Sequence, residues 1–482
     1  MLKLYNTFSK SKQIFKSLRS HKVGIYTCGP TVYDYIHIGN IRAYFTSDTL
    51  RRYLEYLGYN VKHIKNITDV GHLTQDDLLQ GDTGEDKIAK RALAEKKTPR
   101  EIAEFYEKYF HKTEKEINII PASYFPRATE HIAQMIKIIS VLLKKGYAYE
   151  KNGNVFYDVT KFKNYGKLSG NTLDKLKVGA RLEEHPDKIH PGDFALWLVA
   201  PKDHLMKFKS PWSIGYPGWH IECSAMSLKY LGNTLDIHTG GEDNIFPHHE
   251  AEIAQSEAYT GKTFSKYWVH TRHLLVDGEK MSKSKGNFYK IEDIWKRGFS
   301  SMDLRFFYLT SHYRSHLNFT WNSLKQAETN LQKIFRWIEN LENIKKNKKT
   351  VSTSKTKHSF SLKNYQEKFE QAMNDDLNTP LALSVLFELI TKTNYLISQE
   401  KLSSQEAKDI LIFWKKINKV FGLIIKKTTK KIPSEILKLA EERKKAREGK
   451  DFKKSDVLRE KIEKKGYLIE DLKNNQYRIE KK

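Results

Sequence analysis

The sequence predicts an α/β fold with a doubly wound parallel sheet, because three patterns follow one another along the chain. An apolar run at 23–26, helical periodicity over 41–57 and a strand pattern over 61–67 form a βαβ unit. Strand and helix patterns resume at Leu235 after a stretch of different character. Beyond residue 324 nearly all of the sequence has the spacing of amphipathic helices. We therefore expect a Rossmann-type sheet with an inserted module, an α-helical bundle and a small basic C-terminal α+β module.

These patterns divide the 482-residue chain into five segments. Short strand candidates such as 153–159 predict the insertion, and a polar stretch at 345–358 is expected to be a mobile loop. The C-terminal segment has two basic helix patterns and two short strand patterns. The predicted segments are the first half of the parallel-sheet domain (1–115), an inserted connective module (116–210), the second half of that domain (211–323), a helical bundle (324–430) and a C-terminal module (431–482).

The composition indicates a reducing compartment and favours a polyanionic partner. Lysine and arginine number 84 against 58 aspartate and glutamate residues, for a formal net charge of +26. This balance favours nucleic acid, since each phosphate contact releases counterions, although solvated surface lysines would give the same count. Two cysteines, Cys28 and Cys223, cannot form a disulfide framework for this chain length. No apolar run of membrane-spanning length or signal pattern occurs, so we expect a cytoplasmic protein without a membrane partner.

The first motif with chemical character is His37-Ile38-Gly39-Asn40, between the first strand pattern and the first helix pattern. The dipole and N–H groups of a helix N-terminus favour phosphate, and a glycine lets a nucleotide approach the backbone. Taken alone, such a tetrapeptide is weak evidence, because it is more often part of an ordinary loop.

The second motif is the loop 280–287, with the sequence KMSKSKGN. Lys280 and Lys283 are three residues apart in a loop rich in serine and glycine, which suits a triphosphate. Their ammonium groups could follow negative charge onto the leaving pyrophosphate. The ordered pentapeptide K-M-S-K-S is more specific than a basic run.

In this order, the two motifs resemble the HIGH and KMSKS signatures of the class I aminoacyl-tRNA synthetases. The departure is Asn40, where the signature has a second histidine. Asparagine can donate a hydrogen bond to a phosphate oxygen but carries no charge, so more catalytic weight falls on His37. The resemblance implies catalytic roles for His37, Asn40, Lys280 and Lys283. It implies ATP contacts from His37, Gly39, Asn40, Lys280, Ser282, Lys283 and Ser284.

A third group combines the two cysteines with the segment Pro247-His248-His249-Glu250-Ala251-Glu252. His248 and Glu252 are four residues apart and would share one helix face, which suits two ligands of a tetrahedral zinc ion. His249 and Glu252, three apart, would also share a face, so spacing does not choose between the histidines. Without further context, both cysteines could equally be small buried hydrophobic residues.

Four further segments resemble the cysteinyl-tRNA synthetases. They are YTCGPTVYD at 26–34, NITD at 66–69, GWHIECSAM at 218–226 and FPHHE at 246–250, with DDLNTP at 375–380 in the helical region. The resemblance implies one zinc ion per chain, bound by Cys28, Cys223, His248 and Glu252. It also implies a cysteine pocket of Gly29, Thr31, Thr68 and Trp219, and a ribose contact at Gly241 and Asp243.

The resemblance implies activation of cysteine with ATP and Mg²⁺, followed by transfer to the tRNA that accepts cysteine, by a monomer. A zinc ion would take the substrate's sulfur as thiolate, while the bundle contacts tRNA and the C-terminal module binds the anticodon. An alternative is a ligase that transfers the same adenylate to a small amine. Two further rivals are a nucleotide-binding adenylyltransferase and a tRNA-binding scaffold without activity.

Overall fold

A parallel sheet of four strands forms the centre of the N-terminal part of the protein. In spatial order its strands are Ser265–Thr271 (β13), Leu235–Gly241 (β12), Lys22–Thr27 (β3) and Asn60–Lys65 (β4). All three pairings are parallel. Val23, Ile25 and Tyr26 of β3 are buried, as expected for a strand covered on both faces. The predicted βαβ unit and parallel sheet are therefore confirmed.

The computed structural model describes residues 1–70, 73–75, 83–171, 185–202, 204–282, 285–346, 361–424, 433–471 and 477–481. Two compact units contain them, Met1–Ile424 and Ile425–Lys482. Four pairs or groups of strands accompany the central sheet in the first unit. They are Lys3–Asn6 (β1) with Ser11–Ile14 (β2); Leu73–Gln75 (β5) with Thr83–Asp86 (β6); Ala148–Lys151 (β7), Asn154–Tyr157 (β8), Phe194–Val199 (β9), Phe208–Lys209 (β10) and Ile214–Pro217 (β11); and Leu274–Val276 (β14), Glu279–Lys280 (β15) and Leu317–Phe319 (β16).

Helices surround these sheets and make up most of the chain after residue 321. In the first unit they are Ile38–Tyr56 (α1), Lys87–Glu95 (α2), Pro99–Glu116 (α3), Ile132–Lys144 (α4), Trp219–Leu231 (α5), Glu250–Thr260 (α6), Ile291–Lys296 (α7), Ser301–Leu309 (α8), Trp321–Lys346 (α9), Leu362–Asn374 (α10), Thr379–Ser398 (α11) and Ser404–Phe421 (α12). The predicted loop at 345–358 begins inside α9, and its residues from 347 lie outside the described part of the chain.

The insertion is an antiparallel sheet that follows the first two parallel strands. Its spatial order is β10-β11-β9-β8-β7, so it extends from Ala148 to Pro217. Its inner face shares one hydrophobic core with the helices on the parallel sheet, and Phe156, Trp197 and Ile221 are fully buried there. The predicted segment boundaries remain predictions.

The described residues of the second unit form two helices and two paired strands, as the sequence predicts. They are Ser434–Glu448 (α13), Phe452–Lys464 (α14), Tyr467–Asp471 (β17) and Tyr477–Lys481 (β18). The strands pair antiparallel. A small core of Ile436, Ala440, Ile462 and Ile469 holds them together.

One helix among the described residues, α11, is long and apolar enough to cross a membrane by length and composition. Buried residues make up 44% of its most apolar window, and Leu386 and Leu389 lie in the interior of the bundle. This is the composition of the core helix of a helical bundle, and it is weak evidence for a membrane span.

Asp48 connects α1 to the helical bundle through two buried arginines. Arg305 and Arg52 each donate a 2.7 Å hydrogen bond to its Oδ2 atom. Arg305 also donates to the carbonyl oxygens of Phe421 and Asn118. Burial alone would raise the pKa of Asp48, but the two arginines bring it below its usual value. Four separate segments therefore meet at one ionised carboxylate.

We expect Asp48→Asn to lower the free energy of unfolding by about 3–5 kcal/mol at neutral pH, because Arg305 would keep a buried charge without its counter-charge. The pKa of Asp48 is lower in the folded chain, so its stabilisation is complete above the unfolded value of about 3.9. It is lost as the pH falls through the folded value. Urea unfolding followed by circular dichroism from neutral to acidic pH would measure the difference between wild type and variant.

The matched control is Asp375→Asn, which removes a carboxylate that pairs with Lys12 at the surface. We expect little change there, since exposed ion pairs contribute little. Equal stability of Asp48→Asn and wild type at neutral pH would contradict the role given to this carboxylate.

Candidate active site and metal centre

A cavity of about 400 Å³ opens at the carboxyl ends of β3 and β12. The predicted site residues that line it are Cys28, Gly29, Thr31, His37, Gly39, Asn40, Gly241, Asp243 and Lys280. Thr68 and Trp219 do not line the cavity, and neither does Ser282 of the 280–287 loop. Lys283 and Ser284 lie outside the described residues. Both nucleotide motifs therefore face one cavity, although 240 residues separate them.

His37 is the N-terminal cap of α1. Its Nδ1 atom accepts hydrogen bonds from the backbone N–H groups of Gly39 and Asn40, at 3.0 and 3.2 Å. Asn40 Oδ1 accepts in return from the His37 N–H. Because Nδ1 is an acceptor, the neutral ring carries its proton on Nε2. The helix starts at Ile38, three residues before the predicted start, because this reciprocal cap recruits the motif into its first turn.

The loop after β3 lies against the loop after β4, and Gly29 is essential to this contact. A Cβ atom on Gly29 would lie 1.7 Å from the carbonyl oxygen of Asn66. The Gly29 N–H donates to Asn66 Oδ1 at 2.8 Å, and Asn66 Nδ2 donates to Thr68 Oγ1 at 3.1 Å. Thr68 in turn donates to Glu222, which is fully buried on α5. A hydrogen-bonded chain therefore sets the cavity wall at Gly29.

The opposite wall carries a group of charged side chains around Asp243. Its Oδ1 atom accepts from Lys280 Nζ at 3.2 Å and lies 3.1 Å from His273 Nε2. The adjacent Glu242 accepts from the His273 N–H and pairs with Arg272 at 2.6 Å. The β14–β15 hairpin thus holds the first lysine of the 280–287 loop next to Asp243.

Four possible metal ligands converge beneath the cavity. The ligand atoms of Cys28, Cys223, His248 and Glu252 all lie within 4.8 Å of one another. The two sulfur atoms are 3.9 Å apart, and His248 Nε2 is 3.1 Å from Glu252 Oε1. Cys28, His238, His249 and Glu252 form a second, overlapping group. Among the described residues, the geometry of this buried cluster is therefore compatible with a metal ion.

Neighbouring histidines orient these ligand atoms. His220 Nδ1 lies 2.9 Å from His248 Nδ1, which directs His248 Nε2 towards Glu252. His238 Nε2 contacts the second carboxylate oxygen of Glu252 at 2.9 Å. The Trp219 ring stacks on His248 with 4.1 Å between centroids. Metal-binding histidines and carboxylates in proteins usually have such partners.

Burial, neighbouring charges and hydrogen bonds together determine which groups of the cluster carry a proton. Burial raises the pKa of Cys223, but the hydrogen bond from Cys28 and the charge of His248 lower it to about 6. Burial lowers the pKa of His248, but Cys223 and Glu252 raise it to about 10. Burial raises the pKa of Glu252, but His238 and His248 lower it to about 2. Burial and Cys223 raise the pKa of Cys28. Cys223 and Glu252 are therefore ionised beside a protonated His248, while Cys28 keeps its proton.

The α-helix after this segment begins at Glu250 and not at the predicted Pro247. Phe246 has an extended backbone, with φ −141° and ψ 132°, and a wider turn, Ile245–His249, contains both histidines. The proline ring disfavours helical backbone in the residue before it, which agrees with the extended Phe246. His248 and Glu252 still meet as the spacing predicts.

Comparison with known proteins agrees with this geometry. Residues 14–329 match the family described as the class I (C) tRNA synthetase catalytic domain, and residues 368–426 match a DALR domain. A cysteine–tRNA ligase of Caldicellulosiruptor saccharolyticus is 44% identical, and one of Treponema denticola is 42% identical. Each alignment covers 98% of this chain and 98% of the relative.

The chain belongs to the class I cysteine–tRNA ligases. A methionyl-tRNA synthetase of Mycobacterium tuberculosis, solved with methionyl-adenylate, shares the fold with a TM-score of 0.61 and 13% identity. That alignment covers 83% of this chain and 92% of the other. The expected family and fold class are confirmed, and the comparisons give no support to the small-amine alternative.

Sequence reasoning on this ligase missed several residues at the site. His238 and His220 were not predicted, although the structure places both against metal-ligand candidates. The sequence does contain a signal for His238, because this histidine lies in the apolar strand pattern at 235–238. Glu222 and His273 had no spacing signal, because each reaches its partner only through the folded chain.

We expect Gly29→Ala to lower the rate of cysteine-dependent ATP–pyrophosphate exchange by at least about tenfold. The new methyl group must displace the Asn66 backbone, and shifts of about 1 Å in a positioned wall can cost ~10²-fold in rate. Gly449→Ala is the matched control, since its nearest atom would be 3.5 Å from the new Cβ. A Gly29→Ala enzyme with normal exchange would contradict the close packing of these two loops.

Proposed function

We propose that the enzyme selects cysteine by binding its sulfur to a zinc ion held by Cys28, Cys223, His248 and Glu252. The family assigns the overall reaction, which is ATP-dependent activation of cysteine and charging of tRNA. The observation that supports this selection mechanism is the buried ligand cluster, which shares Cys28 with the cavity.

The donor set fits zinc in both distance and chemistry. Tetrahedral zinc with Zn–S bonds of ~2.3 Å holds two sulfurs about 3.8 Å apart, close to the 3.9 Å between Cys28 and Cys223. Thiolates combined with imidazole are ligands that zinc prefers over calcium or magnesium. Neither cysteine is in a disulfide. One zinc ion per chain is therefore our proposal for this site.

One distance favours His248 over His249 as the imidazole ligand. His249 Nε2 lies 3.1 Å from Cys28 Sγ, shorter than the ~3.5 Å expected between two tetrahedral ligands of zinc. The second ring nitrogen does not discriminate, since that of His249 contacts His270 and that of His248 contacts His220. His249 is therefore suited to donate a hydrogen bond to the Cys28 sulfur, and His248 to bind the metal.

This arrangement explains selection of cysteine over serine without proofreading. When bound, zinc supplies a coordination position that takes sulfur as thiolate. A thiol has a pKa of about 8.5, whereas a serine hydroxyl is far less acidic and a poorer zinc ligand. Sites built for specific polar recognition discriminate by roughly 10⁴–10⁵, so a separate editing site is unnecessary. We assign Gly29, Thr31, Thr68 and Trp219 to the rest of the cysteine pocket.

The phosphate side of the cavity stabilises charge rather than exchanging protons. The cysteine carboxylate attacks the α-phosphorus of ATP, which is bound with Mg²⁺, and pyrophosphate leaves. His37 offers its Nε2 proton to phosphate, and Asn40, Lys280 and Lys283 support the same charge. Gly39, Ser282 and Ser284 complete the phosphate contacts, and Gly241 and Asp243 hold the ribose. The adenylate then acylates the terminal ribose of the tRNA.

The remaining assignments concern tRNA and the cell. We assign the bundle at 324–430 to tRNA contacts and the module at 431–482 to the anticodon of the tRNA that accepts cysteine. We also assign the enzyme to the cytoplasm, as a monomer without a membrane partner.

Cobalt substitution tests the metal proposal directly. A cobalt-loaded enzyme should show a sulfur-to-cobalt charge-transfer band that grows when cysteine is added and does not change with serine. Cys223→Ser should lose metal and cysteine activation together, because the liganding thiolate also builds the recognition site. Metal content and pyrophosphate exchange would be measured on the same samples.

The finer comparison is Glu252→Gln against His249→Gln. Glu252→Gln should weaken metal affinity, since it removes an anionic ligand, whereas His249→Gln should retain stoichiometric metal. Metal loss in His249→Gln with normal content in His248→Gln would reverse the ligand assignment. A metal-free preparation that still rejects serine would contradict the proposed selection of cysteine by zinc.

Deletion of the second compact unit, after Ile424, should leave cysteine-dependent exchange intact and greatly reduce tRNA charging. The unit is compact and has its own core, so its removal leaves the contacts within the first unit in place. It also exposes 60% of Phe452 on a basic helix, as expected for stacking on unpaired bases. Equal loss of exchange and charging would show instead that the unit is required for folding.

A further inference from the structure

An aromatic cluster adjoins the cavity on the side of α3. Tyr35 lines the cavity and packs edge-on against Tyr106 and Tyr109, at 5.1 and 4.7 Å between ring centroids. Phe105 extends this cluster outward at 6.2 Å from Tyr35, and 45% of its surface is exposed. An isolated exposed phenylalanine is ordinary. Here the exposed ring continues a row of aromatic residues that leads into the cavity.

Lysines accompany the aromatic rings along this row. Lys290 Nζ lies 4.2 Å from the centroid of the Tyr35 ring, and Lys97 Nζ lies 5.4 Å from that of Phe105. Over residues 87–112 the sequence has eight lysines and arginines and four glutamates. We call Tyr35, Phe105, Lys97 and Lys290 the aromatic rim.

The four glutamates of residues 87–112 each have a partner, and one of these partners is Lys97 of the aromatic rim itself. Glu95 pairs with Arg91 and Lys97, and Glu104 pairs with Arg100. Glu101 caps the start of α3 through Thr98, and Glu107 binds Arg127. Basic groups such as Lys290 remain in excess beside the exposed ring.

We propose that the aromatic rim binds the unpaired 3′ end of tRNA while its terminal ribose lies in the cavity. Charging requires this single-stranded end to reach the adenylate, and the rim borders the cavity. Nucleobases stack on aromatic faces with little sequence preference, and lysines hold the intervening phosphates. The inference rests on the proposed placement of the adenylate in this cavity.

Binding of intact tRNA and of tRNA lacking its unpaired 3′ nucleotides tests the rim. Wild-type enzyme should bind intact tRNA more tightly than truncated tRNA. Phe105→Ala should weaken binding of intact tRNA about tenfold, the range for one stacked base, and leave truncated tRNA unchanged. Phe105→Trp should keep the affinity and Phe105→Leu should lose it, because leucine is apolar but has no aromatic face. Filter-binding dissociation constants would be measured for all four proteins.

Tyr124→Ala is the matched control, since Tyr124 is 43% exposed and packs on Tyr230 without lining the cavity. It should bind both tRNAs like the wild type. Equal weakening of intact and truncated tRNA by Phe105→Ala, or full affinity in Phe105→Leu, would overturn the stacking role.

Pyrophosphate exchange separates failure of the rim from failure of the proposed cavity. Phe105→Ala should exchange at the wild-type rate, because the first step does not use tRNA, and lowered exchange would overturn its assignment to tRNA alone. His37→Ala should lose exchange if the cavity is the site of adenylate formation. Normal exchange in His37→Ala would refute the cavity, whereas unchanged tRNA discrimination in Phe105→Ala would refute only the rim.

Discussion

The parallel pairing of β3 with β12 and β4 determines where the functional groups of this ligase lie. Ile25 stands opposite Ile237 on one side and His63 on the other, so all three strands end at one edge. Parallel strands need long crossover connections, and their loops therefore leave the sheet from a common edge. The loops after β3 and β12 carry Gly29 and Asp243 to opposite walls of the cavity. The position of the cavity and of the possible metal ligand Cys28 beside it follows from this one register.

Cys28 connects the cavity with the buried cluster, because it lines the cavity and its sulfur belongs to the cluster. Placing thiols, imidazoles and a carboxylate together away from water is costly unless their charges compensate one another. Here Cys223 and Glu252 surround His248, and the outer histidines satisfy the remaining polar atoms. Preorganised groups lose little conformational entropy when a ligand binds, which is the advantage of a cluster that is already assembled in the folded chain.

Helix α1 contacts the cavity at its first turn and the helical region further along. Its first turn presents His37 to the cavity, and Arg42 on the next turn donates to the carbonyl oxygens of Arg272 and His273, which line the same cavity. One turn and a half further, Asp48 binds Arg305 from the helical region. A single rigid helix thus connects the phosphate side of the site with the bundle.

The sequence by itself determined the fold class, the family and both nucleotide motifs, because these depend on local periodicity and on short ordered words such as K-M-S-K-S. It also supplied Cys28, Cys223 and Glu252, but spacing left His248 and His249 equivalent. Only the tertiary structure shows that their surroundings differ, since His270 and Cys28 contact His249 while His220 and Trp219 contact His248. Sequence reasoning likewise assigned no role to His238, Glu222 and Phe105. Their partners are distant along the chain, and a residue's surroundings in a packed interior are set by which elements meet there rather than by its neighbours in sequence.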